Sequence, residues 1–158
     1  MSLIVKNPNM RVKALLSVGF VAAATLGTRG PASSRPAFAR STWDSVYTDA
    51  QATRGDTVYQ RACVRCHGPA LTGVNDAAPL TGPVFMSNWN GTLLEDLYEK
   101  IRNTMPSDSV GTVKDPQIVD VLAYLLRFDG FPAGKTELPA DRAALKDIRF
   151  DAKKPGGD

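Results

Sequence analysis

The sequence has little histidine and little cysteine: one His and two Cys in 158 residues. A structural zinc held by three or four His and Cys ligands cannot be assembled from so few. No apolar run approaches the roughly 20 residues that a membrane-spanning helix needs. The composition is also not that of a disordered chain, with 43% apolar and 22% charged residues. The length suits one globular domain. Acidic residues are missing from the first 39 positions, where Lys6, Arg11, Lys13, Arg29 and Arg35 are the charged side chains.

That asymmetry marks a targeting segment. After Lys13 comes an apolar stretch over residues 14–27, then a polar segment ending in Ala37-Phe38-Ala39. Charged, apolar and small-x-small is the order of a secretory signal peptide. As a helix the apolar stretch would rise only about 21 Å, short of the ~30 Å hydrocarbon core. Residues 1–39 are therefore expected to be a cleavable leader, with cleavage after Ala39, and the protein is expected in the periplasm. Without the leader, 14 Lys and Arg face 16 Asp and Glu. The apparent basicity of the whole chain belongs to the leader, and nucleic-acid binding loses its compositional support.

From Arg40 onward three helical patterns appear and no alternating strand pattern, so an all-α domain is expected. The first helix opens at Thr48-Asp49-Ala50-Gln51, read as a capping box with reciprocal bonds between Thr48 and Gln51, and runs to about Ala62. The second opens with Thr92-Leu93-Leu94-Glu95, read in the same way, and aligns Leu94, Leu97, Tyr98 and Ile101 on one face. The third begins at Asp115-Pro116, with Asp115 as cap and a buried stripe of Ile118, Val121, Leu122 and Leu125. It ends near Gly130, a left-handed cap. A short helix from about Ala140 to Ile148 is expected in the tail. Gly68 to Gly91, rich in Gly and Pro, reads as a long loop tied to something.

Directly after the first helix stands Cys63-Val64-Arg65-Cys66-His67. This spacing is the attachment signature of c-type haem: two thiols three positions apart form thioethers with the porphyrin vinyl groups, and the adjacent imidazole supplies an axial nitrogen. A thioredoxin-type redox pair needs a preceding strand, and here a capped helix precedes. A structural disulfide across so short a loop gains little entropy. With no second His, the other axial ligand is sought among the methionines beyond the leader. Met105, followed by Pro106 at the end of the second helix, is favoured. Met86, among aromatics in Pro83 to Trp89, is the fallback and otherwise a packing residue. An open sixth position is a third possibility.

Together these residues resemble the class I cytochrome c family over Trp43 to Gly134. The family pattern appears as Gly55 and Tyr59 in the first helix, Cys63 to His67, Pro79-Leu80, Met105-Pro106, and Tyr124 in the last helix. The resemblance implies three main helices around one covalently attached haem c, with Gly55 lying against the helix that carries Tyr124. It further implies that the Pro79 carbonyl accepts the second ring N–H of His67, and that Trp89 lies near a haem propionate. Met105-Pro106-Ser107-Asp108-Ser109-Val110-Gly111 departs from the commoner family version, which has a second proline before the Gly. More narrowly, Gly130 to Gly134 and Glu137-Leu138-Pro139 are similar to haem domains and small cytochromes associated with quinoprotein dehydrogenases. The expected organisation is a leader over 1–39, a cytochrome domain over 40–134, and a tail over 135–158 that packs on or extends it.

A haem with His and Met ligands exchanges one electron and has no vacant coordination position. The expected function is therefore electron carriage between a dehydrogenase and a terminal oxidase or another cytochrome, not catalysis. The alternatives are a haem enzyme or ligand sensor with a displaceable Met, and a permanent electron-transfer subunit of a dehydrogenase complex. No membrane segment is expected after cleavage, and the protein would be a monomer or a subunit.

Overall fold

A computed structural model describes residues 40–156. The expected leader over 1–39 lies outside the described residues. Two-residue strand β1 (Arg40–Ser41) precedes helix α1 (Asp49–Ala62). Thr48 starts this helix from extended backbone, its hydroxyl accepting the Gln51 amide at 3.1 Å. The capping box is only half formed. The Gln51 side chain is buried and turns to the tail, donating to the Leu138 carbonyl at 2.9 Å and accepting from the Leu138 amide at 2.8 Å. A distant backbone segment whose N–H and C=O both need partners outcompetes the local N-cap amide.

After α1, the one-turn helix α2 (Val64–His67) carries the haem-attachment signature. Helix α3 (Gly82–Trp89) then interrupts the stretch expected to be a continuous loop. Its Pro83 sits in the first turn, where a missing amide costs nothing, so proline there starts a helix rather than breaking one. Helix α4 (Leu94–Thr104) begins one residue later than the expected box. Asp96, not Glu95, accepts the Leu93 amide, at 2.8 Å, while the Thr92 hydroxyl donates to the Trp89 carbonyl at 2.8 Å. Helix α5 (Asp115–Phe128) has Lys114 at its cap and Asp115 as first helical residue, and Gln117 accepts the Lys114 amide at 2.9 Å. The left-handed residue beyond its end is Gly130, with φ of 82°.

The core is built where α1 crosses α5. Gly55 is the point of closest approach: a Cβ there would collide with the Asp120 carbonyl and stand 2.9 Å from the Tyr124 Cβ. Tyr59 and Tyr124 pack beside this contact with ring centroids 5.1 Å apart. Gly55 thus lies against the helix carrying Tyr124, as the family resemblance implies.

The chain from Phe131 onward wraps this core. Leu138, Leu145, Ile148 and Phe150 are all buried. Helix α6 (Arg142–Leu145) is shorter than expected and is capped by Asp141, which accepts the Ala143 amide at 3.0 Å. Strand β2 (Ile148–Arg149) pairs in parallel with β1, setting Arg40 opposite Ile148 and Ser41 opposite Arg149. This short pair is the strand structure of the described residues, within an otherwise helical fold. Phe150 packs edge-on against Phe85 of α3 at 5.9 Å and against Phe131 at 5.4 Å. Its backbone exchanges bonds with the turn before α4, accepting from Gly91 at 2.7 Å and donating to Thr92 at 2.8 Å. No helix among the described residues is long and apolar enough to cross a membrane.

Candidate haem site

The attachment segment is fixed by backbone bonds on both sides. The Cys63 amide completes α1 by donating to the Tyr59 carbonyl at 2.9 Å, and Cys63 then leaves helical geometry with φ of −120°. The amides of Cys66 and His67 both fold back on the Cys63 carbonyl, at 3.1 and 3.0 Å. Gly68, with φ of 74°, turns the chain away, and the buried Tyr59 hydroxyl donates to its carbonyl at 2.6 Å. Beyond the turn, Gly73 donates to His67 and Val74 to Cys66, at 3.0 and 2.9 Å. The loop after the signature is thereby stitched to it.

His67 is buried, and its Nδ1 lies 2.8 Å from the Ala78 carbonyl. A carbonyl only accepts, so Nδ1 carries the proton and the Nε2 lone pair is free to bind a metal. The acceptor is not the Pro79 carbonyl, as the resemblance implied, but the one before it. The register is set where the Leu80 amide donates to the Leu71 carbonyl at 2.7 Å, and that tie leaves the Ala78 carbonyl facing the ring. Pro79 itself lines the cavity described next.

A cavity of about 750 Å³ opens beside His67, within the size range of small-molecule and cofactor sites. Cys63, Cys66, His67, Trp89 and Met105 all line it, together with the apolar side chains of Phe85, Leu97, Ile101, Val121 and Leu125. Met86 is not on the wall; it is half-buried and packs against the core. The two candidate methionines are thus separated by position. Helix α4 accounts for this placement, since Leu97, Lys100 and Ile101 recur at helical spacing on its cavity face and Met105 follows at its C-terminal end.

The Cys63 thiol is half-buried, and desolvation, then the neighbouring Cys66, push its pKa up to about 11. Redox-active and nucleophilic thiols have their pKa lowered instead. Cys63 therefore lacks the lowered pKa of a thioredoxin-type nucleophile.

The residues present fit one haem c. Two thiols and an imidazole of fixed tautomer share a wall, a thioether lines the same space, and most of the lining is apolar. The two carboxylates of such a group need polar partners. Lys100 is the one lining cation that has no carboxylate partner among the described residues, because Arg65 is paired with Asp108. The Trp89 indole also lines the cavity, whereas the indole N–H of Trp43 is already committed, donating to the Asp151 carbonyl at 2.8 Å. Sequence reasoning missed Lys100 and the Ala78 carbonyl. The spacing Leu97, Lys100, Ile101 ahead of Met105 was a usable signal for the first; a carbonyl's direction has no sequence signal.

Comparison with known proteins agrees with this assignment. Residues 50–125 match the family model described as cytochrome c oxidase, cbb3-type, subunit III. The chain therefore contains a mono-haem c-type cytochrome domain of class I architecture. It is an electron-transfer domain, and its cofactor is one covalently bound haem c. Among solved structures, the crystal structure of the sulfane dehydrogenase SoxCD from Paracoccus pantotrophus is similar at 20% identity and a TM-score of 0.42. That match covers 56% of this chain and about half, 53%, of the other, a likeness too slight to carry fold or function across. No curated protein matches the chain.

Proposed function

We propose that this protein is a periplasmic carrier of single electrons, with no substrate chemistry of its own. It would receive electrons from a dehydrogenase, such as a quinoprotein dehydrogenase, and pass them to a terminal oxidase or another cytochrome. The leader pattern in residues 1–39 supports the periplasmic location. When bound, haem supplies reversible one-electron exchange. The chain's own residues do the rest. Cys63 and Cys66 tether the group. His67 would bind the iron through Nε2, with the Ala78 carbonyl fixing the tautomer and orientation of the ring. Met105 would hold the iron through its thioether, a donor that favours the reduced state. The apolar lining excludes water and acts in the same direction, since low polarity disfavours the more highly charged oxidised form.

One observation carries this reading: Met105 lines the same cavity as Cys63, Cys66 and His67, and Met86 does not. With His67 and Met105 both holding the iron, no position on it would be left open to a substrate. Replacing Met105 with Ala is expected to abolish the sulfur-to-ferric-iron charge-transfer band and to lower the reduction potential. Met86→Ala should keep the band. The opposite pattern would transfer the ligand role to Met86, and loss of the band in neither variant would remove the carrier reading.

A further inference from the structure

The ten residues between α4 and α5, 105–114, carry the proposed iron ligand at their first position. Their hydrogen bonds are almost all local. Ser109 donates to Pro106, Thr112 donates to Ser109 through both its amide and its hydroxyl, and the Lys114 ammonium donates to Gly111. At the two ends, Met105 belongs to the last turn of α4 and Lys114 to the first of α5. Among the described residues, one polar tie joins this loop to a distant part of the chain: Asp108 pairs with Arg65. Arg65 is the residue between Val64 and Cys66, inside the attachment signature. The tie therefore runs from the segment that holds the thioethers and His67 to the loop that holds Met105. The Ser109 hydroxyl donates to the other Asp108 oxygen at 2.9 Å, which orients the carboxylate for Arg65.

We infer that Arg65 and Asp108 form a latch that holds the Met105 loop closed, so that breaking the pair lets Met105 leave the iron more often and admits small ligands from solution. They are positioning residues acting through Met105, and the inference rests on Met105 being the axial ligand. Both side chains are exposed, at 76% for Arg65 and 50% for Asp108. The effect is correspondingly modest, roughly two- to fivefold in loop opening, and sensitive to salt.

The test uses the haem-loaded full chain in its ferric state, with imidazole as the probe, because imidazole occupies the iron only after the native ligand has gone. In the native protein the rate of imidazole uptake is expected to rise from low to high ionic strength. Arg65→Gln and Asp108→Asn should each take up imidazole two to five times faster than native at low salt, with little further response to salt. The charge-swapped double variant Arg65→Asp with Asp108→Arg should return toward the native rate, a recovery that a loss of local packing would not produce. Native rates in both single variants, or no recovery in the swap, overturn the latch. Met105→Ala separates this failure from that of the underlying assignment. If its uptake is as slow as native, Met105 is not the ligand and both readings fall; if it is fast, the failure belongs to the latch alone.

Discussion

Asp129, the last residue before the turn that ends α5, has one carboxylate oxygen satisfied and one not. Oδ1 accepts from the Thr81 hydroxyl at 2.5 Å and from the Gly82 amide at 3.3 Å, which fastens the start of α3 to the end of α5. Oδ2 is buried without a partner. Desolvation outweighs the two bonds and raises this carboxyl above its ordinary value. A folded carboxyl that holds its proton more tightly than the unfolded chain contributes stability below its unfolded pKa, and that contribution is lost as pH rises through its folded pKa. Once ionised, the group is thus a net cost. Asp129→Asn retains an Oδ1 acceptor and removes the charge. It should raise the denaturation midpoint at pH 7, and the advantage should shrink as pH falls toward the range where Asp129 is protonated; midpoints measured across pH would check this. Other single-residue roles differ in how legible they were. Cys63, Cys66 and His67 follow from residue type and spacing alone. The acceptor for His67 was misplaced by one position, because either carbonyl of Ala78-Pro79 was chemically suitable and only the tie between Leu80 and Leu71 decides which one faces the ring.

At the scale of elements, α4 and α5 were readable because each presents an apolar stripe bounded by start and stop signals, and α1 from its start signal at Thr48. Helix α3 was not, since Gly82 and Pro83 announce a break unless the proline is placed in the first turn. The Gln51 clamp was equally hidden: its partner lies 87 residues away, and no local pattern distinguishes a glutamine that caps its own helix from one that reaches the tail. Gln51 should be a strong stability determinant for that reason. Gln51→Ala removes the acceptor of one buried amide and the donor to one buried carbonyl, both at Leu138. At the usual cost of buried unsatisfied groups, a loss of roughly 2–4 kcal/mol is expected, read as a lower denaturant midpoint with an unchanged slope. A loss within the range of ordinary surface substitutions would mean that water replaces Gln51 at no cost.

For the whole molecule, the proposed leader covers positions 1–39, and its removal would reverse the sign of the net charge. Mass spectrometry of protein purified from its native host is expected to show a chain starting at Arg40 with the added mass of one haem. A product that keeps its first 39 residues would remove the main support for a periplasmic carrier. Arg40 is also where the described structure has its first strand, and the pairing of β1 with β2 has a consequence in time rather than in energy. The strand that begins the domain has its partner more than a hundred residues later, at Ile148 and Arg149. Trp43 likewise finds its indole acceptor only at Asp151, and the α3 wall of the haem cavity meets Phe150 only when the tail is in place. A chain delivered from its N-terminus presents Cys63, Cys66 and His67 well before any of these closures can form. The attachment residues thus precede in the chain the segment from Ile148 to Asp151 that closes the domain around them.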